Sequence, residues 1–184
     1  LTSYKINVPE LREVAPQLQA GDRVLLSGGV YTARDAAHKK LFELLDNGLP
    51  LPFGLKDAVI YYAGPTPGHG DVKVGACGPT TAGRMDRFAP RLYDLGLAAT
   101  IGKGERSPAV AEAVMRNGAV YLCAVGGAGA LISRHIEDAE EIAFPELGCE
   151  SVKRFLVRDM PLVVALDCRG GDIFREGREK YRQV

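Results

Sequence analysis

RVLLSGGVYTARDAAHKKLFELLDNG, residues 23–48, decides the fold class. Its first six residues, Arg23 to Gly28, form a short apolar run of the kind used by a buried strand. Ala37, Leu41, Leu44 and Leu45 then fall at i, i+4, i+7 and i+8, which is one face of a helix. Gly48 supplies the stop and Pro50 reinforces it. A strand that feeds straight into a glycine-terminated helix is the building unit of an α/β fold.

The same punctuation continues outward. An extended piece, Tyr4 to Val8, precedes this unit, and DAVIYYA, Asp57 to Ala63, predicts a second strand before the turn cluster GPTPGHGD. Val72 to Ala76 predicts a third, running into CGPTTAGRMD and a helical stretch that ends near Gly96. Leu97 to Ile101 is a fourth, followed by GKGERSP, where Ser107 and Pro108 suit the N-cap and first position of a helix over 109–117. Gly118 closes that helix, Ala119 to Val125 reads as a fifth strand, and GGAGAL introduces a short helix or turn. The acidic run Glu137 to Glu141 reads as an exposed helix face. Phe155 to Val157 and Leu162 to Asp167, separated by Arg158 to Pro161, read as an antiparallel ribbon. REGREKYRQV, residues 175–184, is a charged tail expected to be frayed or exposed.

Composition narrows the functional classes. The chain has 184 residues with 23 basic and 23 acidic side chains, a balance that lacks the basic footprint of a nucleic-acid binder. No apolar run approaches the roughly 20 residues needed to cross a bilayer. The start, LTSYKINVPELREVAPQL, lacks the basic–apolar–small order of a secretion signal, so the expected compartment is the cytoplasm. Cys77, Cys123, Cys149 and Cys168 are too dispersed for a disulfide framework, and no Cys or His pair has metal-ligand spacing. No metal is therefore expected to be held by this chain alone.

Three strand-to-helix junctions share an unusual composition: SGGVYTAR with Arg34, CGPTTAGR with Arg84, and IGKGERSP with Lys103 between two glycines. Cations at helix N-termini oppose the dipole, at a cost of about 0.3–1 kcal/mol each at exposed sites. Three at successive strand ends suggest that a small dianion sits between them, and open α/β sheets place ligands at the carboxyl ends of strands. A guanidinium grips a carboxylate through two parallel hydrogen bonds, whereas a lysine acts as a point charge. Thr80, four residues before Arg84, would share its face if a helix began there, and positive potential favours its deprotonated form. Each residue also has an ordinary role: Thr80 or Thr81 as an N-cap, Arg84 and Arg34 as solvated side chains. GGAGAL fits either a close-packing turn or a phosphate cradle. His38 reads as solvated, His69 as a loop residue and His135 as a helical one, while Cys77 is either a low-pKa thiol or a small buried residue.

From SGGVYTARDAAHK through GPTTAGRMDRFAPRLYDLGL and IGKGERS to AFPELGCESV and LVVALDCRGGD, the sequence resembles the iron–sulfur-dependent (class I) fumarate hydratase and L-tartrate dehydratase family, in its beta subunit or equivalent C-terminal domain. The resemblance implies a single swivelling β/β/α three-layer domain over residues 1–184, with a mixed sheet, that closes over an active site shared with a separate alpha subunit. It implies a four-iron, four-sulfur cluster held by that subunit and none bound by this chain. By the family pattern Thr80 matches the proton-abstracting threonine, Arg84 a carboxylate-binding arginine, and Arg34 and Lys103 cationic substrate ligands. The implied activity is a hydro-lyase interconverting (S)-malate and fumarate. An L-tartrate dehydratase beta subunit and a non-catalytic phosphate- or nucleotide-binding module are the alternatives. Self-association is a further expectation for the chain isolated from its hetero-oligomer.

Overall fold

The computed structural model describes residues 2–70 and 72–183. Seven strands form a mixed sheet: β1 (Ser3–Asn7), β2 (Arg23–Thr32), β3 (Val59–Tyr61), β4 (Ala99–Gly102), β5 (Val120–Cys123), β6 (Ile136–Ala143) and β7 (Val152–Leu166). Strands β2, β3, β4 and β5 are neighbours and run parallel. The long β7 lies antiparallel to β5 on one side and to β2 on the other, so the pairings β2–β3–β4–β5–β7–β2 close a ring. β1 and β6 extend it as outer strands on β2 and β7.

Side-chain alternation divides the core in two. Val24, Leu26 and Val30 of β2, Val59 and Tyr61 of β3, Ala99 and Ile101 of β4, Val120 and Leu122 of β5 and Phe155, Val157, Met160, Leu162 and Val164 of β7 pack in one cluster. Because that cluster draws on every strand of a closed ring, it fills the ring. Leu11 of α1 (Leu11–Val14) joins it, and the hydroxyl of Tyr61 is satisfied within it by donating to the Cys77 carbonyl at 2.7 Å. The intervening residues Ile60, Tyr62 and Tyr121 point outward, against α2 (Asp35–Asp46), α3 (Ala89–Asp94) and α4 (Pro108–Arg116). Each fully buried Leu, Ile or Val contributes about 1.5–3 kcal/mol, so these two layers account for the fold. Two further helices, α5 (Gly129–Ile132) and α6 (Ile173–Tyr181), follow β5 and β7. No described helix is long and apolar enough to cross a membrane.

The α/β class and mixed sheet agree with the sequence reading, but four local expectations need correction. Phe155–Val157 and Leu162–Asp167 are not two arms of a ribbon. Phe155–Val157 and Leu162–Leu166 belong to one 15-residue strand, β7, and Asp167 follows it. Its register against β2 shifts between Leu26 and Gly28, where Asp159 takes a left-handed conformation (φ 46°) and donates its N–H to Ser27 Oγ at 2.9 Å. This bulge interrupts the alternation and bends the strand, so that its first half pairs with β6 and its end with β5. Glu137–Glu141 is not a helix face but part of β6, a charged outer strand of the kind that resists edge-to-edge pairing. Val72–Ala76 forms no strand, only a single bridge between Pro67 and Val74; the neighbouring Asp71 lies outside the described residues. The stretch after Cys77 is a 3-10 turn, Ala82–Met85, and then the short α3, rather than one helix. The tail is exposed but helical, because Asp172 caps α6 by accepting from the N–H groups of Phe174 and Arg175.

Candidate active site

The four parallel strands β2–β5 end at a common edge, and the loops leaving them carry all three predicted cations. Arg34 is the N-cap of α2, immediately after β2. Its Nη2 lies 3.1 Å from Glu150 Oε1, and its Nε is buried without a hydrogen-bond partner among the described residues. Gly64, just beyond β3, allows this placement: a Cβ there would stand 2.6 Å from Arg34 Nη1 and 3.1 Å from the Cys149 carbonyl oxygen. Glu150 also accepts from the Ala36 N–H at 3.0 Å through Oε2, which caps the first turn of α2.

Arg84 lies in the 3-10 turn and reaches back to the same helix start. Its Nε donates to Asp35 Oδ1 at 3.1 Å and its Nη2 lies 2.6 Å from Asp35 Oδ2. The side chain is 51% exposed, so its remaining donors face solvent. Arg34 and Arg84, fifty positions apart in sequence, thus meet at the head of α2 through adjacent residues.

Thr80 and Lys103 are joined by backbone. Thr80 donates its N–H to the Tyr62 carbonyl at 2.7 Å and accepts from the Lys103 N–H at 3.2 Å, while Ala82 donates to the Lys103 carbonyl at 2.9 Å. Only glycine fits at the end of β4, since a Cβ on Gly102 would lie 2.9 Å from Ala82 Cβ and 3.0 Å from Tyr62 Cδ2. The Lys103 side chain runs past Gly126, after β5, and makes no ion pair among the described residues. The half-buried Thr80 hydroxyl likewise makes no hydrogen bond among them. No helix begins at Thr80, so the expected Thr80–Arg84 helix face is not formed; a single parallel bridge pairs Thr81 with Lys103 instead, and Thr80 joins it through its carbonyl. Thr81 precedes the 3-10 turn without a side-chain cap. Arg34, Thr80, Arg84 and Lys103 all lie on loops at this edge of the sheet, and among the described residues none of their side chains bonds to another of the four.

Two residues that the sequence reading passed over hold these loops together. Arg106, with a wholly buried side chain, donates through Nε to Asp86 Oδ1 at 2.6 Å and through Nη1 to Thr100 Oγ1 at 3.0 Å. Its guanidinium lies over the Tyr121 ring, 4.8 Å from the centroid. Asp86 Oδ2 accepts the Ser107 N–H, so the Ser107 side chain is not needed as a cap. Opposite charges inside GRMD and GKGERS were the available signal, but nothing in the spacing alone pairs them.

Three minor candidates resolve differently. His38 is fully buried rather than solvated, between Tyr62 and Phe88, and donates from Nδ1 to the Arg34 carbonyl at 2.8 Å. Burial lowers its pKa to about 4, so the ring is neutral. Cys77 is the small buried residue, its thiol pushed up to about 12 by burial. Gly129 of GGAGAL packs on Gly78, where a Cβ would lie 3.0 Å from the Gly78 nitrogen, which favours the close-packing turn over a phosphate cradle. His135 lies in a 3-10 turn and bonds through Nδ1 with the Arg158 carbonyl at 3.0 Å; His69 is an exposed loop residue. Among the described residues no three His, Cys, Asp or Glu side chains converge to hold a metal ion.

Loops at the carboxyl ends of parallel strands are where proteins of the α/β class take their ligands, and here those loops carry three cations and a free hydroxyl. Residues 2–177 match the family model described as Fumarase C-terminus, and the chain belongs to that family. It is 38% identical over 179 residues to Fumarate hydratase 2 of Leishmania major, covering 94% of this chain and 32% of that protein. It is 36% identical over 174 residues to the putative L(+)-tartrate dehydratase subunit beta of Methanocaldococcus jannaschii (89% and 87% covered). It is 29% identical over 183 residues to L(+)-tartrate dehydratase subunit beta of Escherichia coli strain K12 (97% and 90% covered). The relatives so named are hydro-lyases, and the chain spans about a third of the length of the fumarate hydratases it matches.

Proposed function

We propose that the chain is the beta subunit of a cytoplasmic hydro-lyase that reversibly dehydrates (S)-malate to fumarate. The observation that supports this reading is the placement of Arg34, Arg84, Lys103 and Thr80 on loops that leave the carboxyl ends of adjacent parallel strands, in a chain of this family. Arg34 and Arg84 would each hold a substrate carboxylate by the guanidinium fork, and Lys103 would add a compact positive charge beside Thr80. The Thr80 oxygen takes the proton from C3. The C–H electron pair forms the double bond, and the C2 hydroxyl leaves with its bonding pair, becoming water with a proton that a general acid of the alpha subunit would donate. Lys103 favours that step because it stabilises negative charge on the Thr80 oxygen and on the substrate. A four-iron, four-sulfur cluster held by a separate alpha subunit would supply Lewis acidity toward the departing hydroxyl. Closure of the swivelling domain onto that subunit would exclude water from the site.

The test is co-expression with an alpha-type subunit under anaerobic conditions, followed by assay of malate, fumarate and tartrate. Thr80→Ala is expected to lower kcat by about 100- to 10,000-fold, the range of general base catalysis, with assembly intact. Near-normal turnover of that variant removes threonine from the mechanism. A second reading is an L-tartrate dehydratase beta subunit, the name carried by two of the relatives reported above. The same residues serve it, and the same assay separates the two.

A further inference from the structure

Each arginine at the sheet edge is already engaged by a carboxylate from a different part of the chain, and both carboxylates sit on the first turn of α2. Asp35 opens that helix, and Glu150, arriving from beyond β6, caps it at Ala36. The dipole of α2 favours negative charge there. Asp35 occupies the Nε and Nη2 edge of Arg84 and leaves Nη1 unengaged. Glu150 takes Nη2 of Arg34, while Nη1 lies against Gly64 and Nε keeps an unspent donor. Each carboxylate thus uses some of the five guanidinium donors and leaves others for a ligand.

We infer that Asp35 and Glu150 are positioning residues that hold Arg84 and Arg34 in the orientation in which they take the two carboxylates of the substrate. This rests on the proposed role of the arginines as substrate ligands. Arginine has a long, rotamer-rich side chain, and a fork fixed before binding loses little entropy when the dianion arrives. The two anions also limit the charge gathered at the site. Arg34 and Arg84 are each matched by a carboxylate, and Lys103 is the cation without an ion-pair partner among the described residues.

The test uses the enzyme assembled with its alpha-type partner, on whichever of (S)-malate and L-tartrate the unaltered enzyme converts. Glu150→Gln keeps an oxygen for the Ala36 N–H, and Asp35→Asn keeps the size of the side chain; both remove the charge that faces arginine. Each is expected to raise KM about tenfold with kcat within about threefold, the pattern of lost ground-state and transition-state binding alike. Asp35→Glu, which restores a carboxylate, is expected to recover most of the KM. The thermal midpoint is expected to stay that of the unaltered enzyme. Unchanged KM in Glu150→Gln and Asp35→Asn, alongside raised KM in Arg34→Lys and Arg84→Lys, overturns the positioning role and leaves the arginines as ligands. A lowered thermal midpoint with unchanged KM makes the carboxylates structural only and also overturns it. Unchanged KM in the arginine variants as well, or an assembled enzyme that converts neither acid, removes the substrate-ligand reading and this inference with it.

Discussion

His38 is neutral because it is enclosed. Phe88 stacks on its ring at 5.4 Å, Tyr62 meets it edge-on at 5.5 Å, and Nε2 has no partner among the described residues. Burial is the main cause of its lowered pKa, about 4 against an ordinary 6.5, with the Arg106 charge acting the same way and the bond to the Arg34 carbonyl opposing it. The sign follows directly. The unfolded chain binds a proton at this residue below pH 6.5 and the folded chain does not until about pH 4. Its contribution is complete above pH 6.5 and is lost as pH falls toward 4, amounting to about 3 kcal/mol at the acid limit. Urea midpoints measured from pH 7.5 to 4.5 are expected to fall less steeply for His38→Leu than for the unaltered chain; parallel curves would show that His38 is not the titrating group. The sequence placed this residue among lysines on a helix and so suggested a solvated face. Helix periodicity fixes which residues share a face but not what another segment, here 85–88, lays over it.

The loops after β3 and β4 depend on a buried ion pair rather than on capping side chains. Arg106 and Asp86 are packed under Tyr62 and Tyr121, so removing one charge strands the other away from water. Asp86→Asn is expected to destabilise the chain by about 3–5 kcal/mol, read from the denaturant midpoint. Adding Arg106→Met to that variant is expected to recover part of the loss, because no uncompensated charge then remains. Equal stabilities for Asp86→Asn and the unaltered chain would show that the pair does not hold the loops. At this scale the sequence was legible where period and punctuation agree. β2 with α2, β4, and α4 with Gly118 each combine an apolar run or stripe with a glycine or proline signal. It was illegible in β6, whose acidic run has no apolar alternation to mark it as a strand. It also failed in β7, where one left-handed residue, Asp159, separates two runs that belong together. The cations of the site could be read from three junctions, whereas Asp35 and Glu150 could not, because charged residues read singly as surface. Only the fold brings Glu150 to the start of α2, across 114 positions.

At the scale of the molecule, the closed ring defines where stability is concentrated. Strands β3, β4 and β5 are buried on both faces, inward by the ring core and outward by α2, α3 and α4. Their amides are expected to exchange with solvent slowest, near the rate set by global unfolding. Those of α6, which has no buried residue, are expected to exchange fastest among the helices longer than two turns. Hydrogen exchange read by mass spectrometry checks this order, and equally rapid exchange in β3–β5 and α6 would contradict it. The edge that carries Thr80 and Lys103 is thereby anchored in the most protected strands, while Arg84 and its loop stand further out.

The seam of the ring is made late. β7 joins β2 through contacts such as Asp159 with Ser27, 132 residues apart. While the polypeptide leaves the ribosome, its first long strand must wait, one flank unsatisfied, until that segment emerges. Such distant pairing slows folding and exposes sticky surface in the meantime.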